Sequence, residues 1–405
     1  MSNWLIFGLF ANYFCIAYIL LKWGNIRCIG ETPLKTPVFM AILFTSGWEV
    51  GVIMLPMIDF PRFEDLINYP EYGFTNPLAM EFASMGFAIW SGYFLTCFYF
   101  CVIEPKVGFF KIPIVNFLNT IVIVVTCSFT IYLFLINLPI YLPELGDGMN
   151  LNATFYLIVL LVISTAVYSS SSIRYVKILS MTSTLLFFAL IIGMWITSFS
   201  IEKATFFEIF NSINLMSNYF INLNNFLVPI NLYHEFYLFW WYSWYIMIGQ
   251  FLARFVSGIK TYQLFLMIMI IPSIPLALWF SVIFIYYKNE IDMIGVYNYS
   301  MMFVGTLFVI NSLDSLIRLY TDNLDITPKR LGKRKYLSLN ILSLSALALM
   351  YNFNFLEIEW VGAVVIALVV SCLIHIILSK RNIVNEINSS PADNTLDFNK
   401  VNNID

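Results

Sequence analysis

Between Phe236 and Arg254 the chain reads FYLFWWYSWYIMIGQFLAR. On a helix Tyr237, Trp241 and Trp244 share one face, and Phe236 and Trp240 the adjoining one. Faces of indole and phenol rings attract a diffuse positive charge, so such a wall offers chemistry for an alkylated cation that has no hydrogen to donate. Tryptophans near the end of an apolar run also form interfacial belts, and the same residues suit that role. A second reactive position is Glu49, set among Gly47, Gly51 and Pro56 in another apolar run. An acidic side chain at the centre of a membrane span costs about 2.5 kcal/mol or more. A counter-charge for a cation or a proton site would justify that cost; a neutral glutamate hydrogen-bonded in packing is the alternative. Small residues beside it also serve close helix contact.

The elements that carry these residues follow from composition. Sixty per cent of the 405 residues are hydrophobic and 11% are charged, which excludes a water-soluble domain of this length. Apolar runs of roughly 20 residues, enough for a hydrocarbon core of ~30 Å, occur at 3–22, 37–58, 78–103, 112–141, 152–170, 178–199, 236–256, 263–287, 294–320, 336–353 and 360–379. The expected fold is an all-α polytopic membrane protein with about eleven transmembrane helices. The run from Thr205 to Pro229, broken by asparagines, reads as an interfacial segment. Lys and Arg fall almost wholly in alternate loops, as in Lys22, Arg27 and Lys35 after the first run and Lys329 to Lys335 before the tenth. Acids such as Asp59, Glu64, Glu71, Glu202 and Glu357 fill the others, which places the N-terminus outside and the C-terminus in the cytoplasm. The setting expected is a bacterial-type plasma membrane, with membrane lipid as surroundings and no nucleic-acid partner.

Eleven spans divide into a leading helix (3–22) and two sets of five, 37–199 and 236–379. Because five is odd, consecutive sets run in opposite senses, the arithmetic of an inverted-repeat transporter. Such folds bind substrate between the first helices of the two repeats, here 37–58 and 236–256, and those helices are expected to be interrupted by Gly or Pro. Residues 1–385 form one transmembrane domain and 386–405 a polar, disordered cytoplasmic tail. The six cysteines and two histidines form no CxxC pair or metal cluster. His234 and Glu235 read as a solvated rim, and Asp314 with Arg318 as an i,i+4 helix pair.

The run WWYSWYIMIGQFLAR resembles, without gaps, the signature helix of the betaine/carnitine/choline transporters. Lys22 to Asp59 is similar to that family's basic loop leading into a glycine-rich unwound helix, AIWSGY (Ala88 to Tyr93) to its W-x-x-Y, and FVINSLDS (Phe308 to Ser315) to its FVTSADS. The likeness runs from Asn3 to about Arg334. Family members usually have twelve spans with both ends cytoplasmic, so loss of the first span would give the eleven that the charge pattern demands.

The resemblance implies secondary active transport of a quaternary ammonium compound such as glycine betaine, choline or carnitine, with no cofactor, no enzymatic chemistry and a homo-oligomer as candidate assembly. Carried over, the aromatic box would be Trp90, Tyr93, Tyr237, Trp240, Trp241 and Trp244, with Trp241 the first choice for direct contact. Met85 stands where the family has a further tryptophan. Glu49 replaces the central glycine of the family's G-x-G-x-G, which points to a cationic substrate or to proton coupling. Asn311 and Ser312, next to Phe308, stand where sodium-coupled members carry a Thr-Ser pair, so the coupling ion is sodium or a proton. Two other readings fit the length and aromatic content: a polytopic enzyme of surface-polysaccharide assembly, and a family member that binds without transporting.

Overall fold

The structure, a computed structural model, describes residues 2–48, 51–146, 150–293 and 295–387; Glu49 and the tail from 388 onward lie outside them. The protein is an all-α polytopic membrane protein. Among the described residues eight helices are long and apolar enough to cross a membrane: Ser2–Trp23, Pro77–Val107, Pro113–Tyr141, Ala153–Ser170, Ile173–Ser200, Thr261–Lys288, Val296–Asn323 and Ile358–Asn385. The other three predicted runs are helical too. Leu232–Ala253 is rich in Trp and Tyr, which score poorly on hydropathy. Lys333–Asn352 begins with three basic residues, and the run from Thr36 is divided into Thr36–Ser46, Gly51–Met54 and Pro56–Glu64.

We label the elements that build the site in chain order: α1 (Ser2–Trp23), α2 (Thr36–Ser46), α3 (Pro56–Glu64), α4 (Pro77–Met85), α5 (Trp90–Phe98), α6 (Pro113–Tyr141), α7 (Ile173–Ser200), α8 (Leu232–Ala253) and α9 (Val296–Asn323). Several begin with local signals of the expected kind. Pro37, Pro77 and Pro113 sit in first turns, where their missing N–H is not needed. The side chains of Asn76 and Asn231 accept N–H bonds from Ala79 and His234, capping α4 and α8.

α8 is the centre of the bundle: every residue from Tyr237 to Gly249 is buried, and it packs against Ile358–His375, α5 and α6. A helix apolar on all sides needs neighbours all round. That burial overturns the belt reading of its tryptophans, since rings at a lipid–water boundary keep an exposed side. α1 lies at the periphery with Phe14 and Leu21 exposed, a surface suited to lipid.

Two expectations need correction. α8 is continuous rather than interrupted, because Gly249 serves close packing instead: a Cβ there would lie 2.0 Å from Thr96 Oγ1 on α5. The breaks fall after Ser46, where Thr36–Ser46 ends at Gly47, at Gly86, where the backbone is extended between α4 and a 3-10 turn, and at Ile271–Pro272 within Thr261–Lys288. Secondly, Arg381–Asn385 forms a last helical turn and Ile387 is buried. The Ile387 carbonyl accepts the Trp23 indole N–H at 2.9 Å, so the start of the predicted tail is held against the bundle.

Among the described residues the sheet is two short antiparallel strands, β1 (Arg27–Ile29) and β2 (Ser257–Lys260), with Arg27 opposite Lys260. They tie the loop after α1 to the loop after α8. Gly30 lets that crossing close, since a Cβ would meet the Ala253 and Arg254 carbonyls at 2.3 Å. Basic residues collect at this end of the bundle, where Arg254 pairs with Asp322 at 2.8 Å and Lys22 donates to Asn385.

Candidate functional site

The break between α2 and α3 frees backbone carbonyls inside the bundle, where each must find a donor. Donors come from four other helices. Tyr93 donates to Gly47 O at 3.4 Å, Trp279 to Val52 O at 2.8 Å, Tyr141 to Met54 O, and Ser312 to Trp48 O and to Thr45 O. Ser46 and Ser315 join their hydroxyls at 3.1 Å. The described carbonyls on either side of the break are thus held by side chains from other helices, among them α5, α6 and α9. Ser312→Ala strips a donor from two buried carbonyls, at a cost of about 1–3 kcal/mol. It is expected to lower the melting temperature in detergent relative to wild type, as a thermal melt of the two proteins side by side would register.

Glycine at positions 47 and 51 lets rings reach this backbone. A Cβ on Gly47 would lie 2.7 Å from Trp90 Cζ3, and one on Gly51 2.7 Å from Trp240 Cη2. Two ring sets therefore flank the break. On one side Trp90 meets Tyr93 edge-on at 5.1 Å and Trp48 at 6.0 Å. On the other Trp240 lies between Tyr237 at 5.5 Å and Trp241 at 5.4 Å, nearly parallel to the latter. Trp241 is anchored by the Gly86 break: the Ser84 carbonyl, which a continuous helix would give to Ala88, accepts the Trp241 N–H at 2.6 Å. The Ala88 N–H donates to Tyr219 instead. Met85 is buried at the same break.

The structure thus brings together Trp90, Tyr93, Tyr237, Trp240 and Trp241 around the glycine segment and adds Trp48, which packs against Trp90. Trp244 is buried, but among the described residues it makes none of the ring contacts that join the others. The indole N–H groups of Trp48, Trp90, Trp240 and Trp244 are buried without an acceptor among the described residues. Buried donors usually have partners, so these four mark the region as one able to receive an acceptor.

Phe308 stacks on Trp48 at 6.3 Å. Ser312 faces the carbonyls of the break, whereas Asn311 is occupied by Ser183 at 2.6 Å and Ser180 at 3.4 Å on α7. Of the three candidate sodium residues, only Ser312 aims an oxygen at the break. Asp314 does not form the expected pair with Arg318; its oxygens accept from Ser169 at 2.5 Å and Ser315 at 3.2 Å, because it is buried against the helix Ala153–Ser170.

Asp59, read in the sequence as a loop acid, is fully buried. It accepts from Tyr233 and, at 2.6 Å, from Tyr237. Glu81 on α4 is buried beside it, with neither oxygen bonded to a donor among the described residues. Sequence reasoning missed this pair, although a glutamate inside the apolar run PLAMEFASM was the available signal. His234 is also buried rather than solvated, since its Nδ1 folds back to accept the Ile230 N–H at 3.1 Å.

Above the pair, Asn231 donates to Glu71 at 2.5 Å and to Tyr72 at 2.8 Å. The Asn231 amide holds the Glu71 carboxyl below its ordinary range. Stability from a depressed carboxyl is present above its unfolded value and lost as pH falls through the folded one. Asn231→Ala, which also removes the α8 cap at about 1 kcal/mol, should therefore melt lower than wild type at neutral pH. The gap should narrow in acid, as thermal melts at both pH values would register.

Comparison of the chain with protein-family models and with curated proteins finds no match, which leaves these residues to define the function.

Proposed function

We propose that the protein is a secondary active transporter for betaine-like quaternary ammonium compounds in a plasma membrane. In this reading the chain crosses eleven times with its N-terminus outside, as a leading helix and two inverted sets of five. Interruptions at corresponding places in the second helix of each set, Gly86 and Ile271–Pro272, support the repeat. So does the collection of basic residues at one end of the bundle and of Glu64, Glu71 and Glu208 in contacts at the other.

The observation that carries the proposal is the two ring sets against the Gly47 and Gly51 backbone, with their unpartnered indole N–H groups. A trimethylammonium group is held by ring faces, and a carboxylate on the same molecule accepts the N–H groups. The carbonyls of the break, held by side chains of separate helices, can exchange partners as one set of helices moves against the other. Sodium would draw on the Thr45 and Trp48 carbonyls and the Ser312 hydroxyl; the other coupling ion is a proton. Calorimetric titration of purified protein tests the binding step. Glycine betaine and carnitine should bind more tightly than choline, which lacks the carboxylate; no binding of any of the three would refute the proposal.

A further inference from the structure

Asp59 and Glu81 belong to neither the ring sets nor the sodium residues, yet they adjoin the wall of the site built by Tyr237, Trp240 and Trp241. Tyr237, whose hydroxyl bonds Asp59, lies 5.5 Å from Trp240. Glu81 is one turn before Ser84, the acceptor of Trp241. The groups facing the pair from the surrounding elements are Tyr233 and Tyr237 on α8, Tyr141 on α6, Tyr72 in the loop after α3, and Arg62 on α3. Arg62 is the one cation among them, and its guanidinium lies over the Tyr233 ring at 3.8 Å instead of on a carboxylate. The ion pairs among the described residues, Arg254–Asp322 and Arg330–Asp325, are elsewhere.

Two adjacent buried carboxylates without a bonded cation cannot both ionise, because each disfavours the charge of the other and water is excluded. The tyrosines decide which one does. Both donate to Asp59, which serves it as an acceptor-only carboxylate, while the Glu81 oxygens have no donor among the described residues and so call for a proton of their own.

We propose that Glu81, paired with Asp59, is the proton-carrying site of this protein, loaded from the side of the bundle where Arg62 and Tyr233 lie. In the loading step an oxygen of the Glu81 carboxylate takes H+ from water on that side, forming an O–H bond; the same bond breaks to water on the opposite side when the helices exchange partners. The net movement is one proton with no other reactant. The role as a coupling site rests on the transporter reading, whereas the proton on Glu81 does not.

Infrared difference spectroscopy of the purified full chain, without substrate, tests the proton directly. A protonated-carboxyl stretch is expected at neutral pH, with a component that is lost in Glu81→Gln and retained in Glu49→Gln and in Asp314→Asn, another buried carboxyl without a bonded cation. Absence of the stretch in wild type, or an undiminished stretch in folded Glu81→Gln, overturns the proposal. In proteoliposomes the component of glycine betaine uptake driven by an acid exterior should be lost in Glu81→Gln with calorimetric binding retained. Persistence of that component overturns the coupling role. Asp59→Asn is the second variant if Glu81→Gln does not fold; it should lose the same component, and keeping it counts equally against the pair. Failure of glycine betaine, choline and carnitine to bind would remove the transporter reading and leave the infrared result to decide the proton site.

Discussion

Trp241→Ala is expected to weaken glycine betaine binding by about 30-fold, the equivalent of a desolvated cation–π contact of ~2 kcal/mol. Trp241 stacks on Trp240 at 5.4 Å, so it stands in the ring set that the proposal assigns to the cation. Its N–H is committed to Ser84, so alanine also strands a buried carbonyl. Trp241→Phe separates the two roles: it keeps an aromatic face and removes only the hydrogen bond. Phenylalanine should therefore lower the melting temperature much as alanine does but retain most of the affinity. Trp90→Ala, on the opposite side of the break, should reduce binding by a similar factor. Equal loss with phenylalanine and alanine at 241 would mean that the indole holds the helix and not the ligand. Calorimetric titration with a parallel melt distinguishes the two.

Gly249→Val should be the most destructive change to the fold. The added Cβ would stand 2.0 Å from Thr96 Oγ1 and 2.6 Å from the Cys97 backbone nitrogen. The Thr96 hydroxyl has little freedom to turn aside, since it is bonded to the Tyr245 and Gly92 carbonyls at 2.6 and 2.9 Å. α8 and α5 would have to separate, and that contact aligns the two ring sets. Overpacking of this kind costs about 1–3 kcal/mol or more, enough to remove a monodisperse peak in detergent chromatography. Gly193→Ala is the control: nothing lies within 4 Å of its Cβ position, and the helix there should be no less stable.

The all-α membrane class and the helical runs were legible because composition and the length of apolar stretches are imposed by the bilayer itself. The aromatic cluster was legible as a cluster, since Tyr237, Trp240 and Trp241 are close in sequence. Its burial was not, because periodicity cannot tell a helix at the lipid boundary from one surrounded by protein. The break at Gly86 was missed for a related reason: a lone glycine in an apolar helix usually packs, as Gly249 does, and only the tertiary partners of Ser84 and Ala88, a donor for the first and an acceptor for the second, make an interruption stable there. Asp59 was assigned to a loop because it follows the second apolar run, where the chain was expected to reach water; α3 instead carries it back against α8. Asp314 and Arg318 have the spacing of a helix pair, but the serine at 169, distant in sequence, competes for the carboxylate at short range. Glu49, read in the sequence as a counter-charge or proton site, lies outside the described residues, and the proton role proposed for this protein falls on Glu81 instead.

Substrate movement tests the central claim most directly. Purified protein in liposomes is supplied with glycine betaine, choline or carnitine under separate inward gradients of sodium and protons, and with product preloaded for exchange. Uptake of at least one of the three above protein-free vesicles, driven by one gradient or by exchange and lost in Trp241→Ala, is the expected result. Folded protein that moves none of them under any of these conditions would contradict the account.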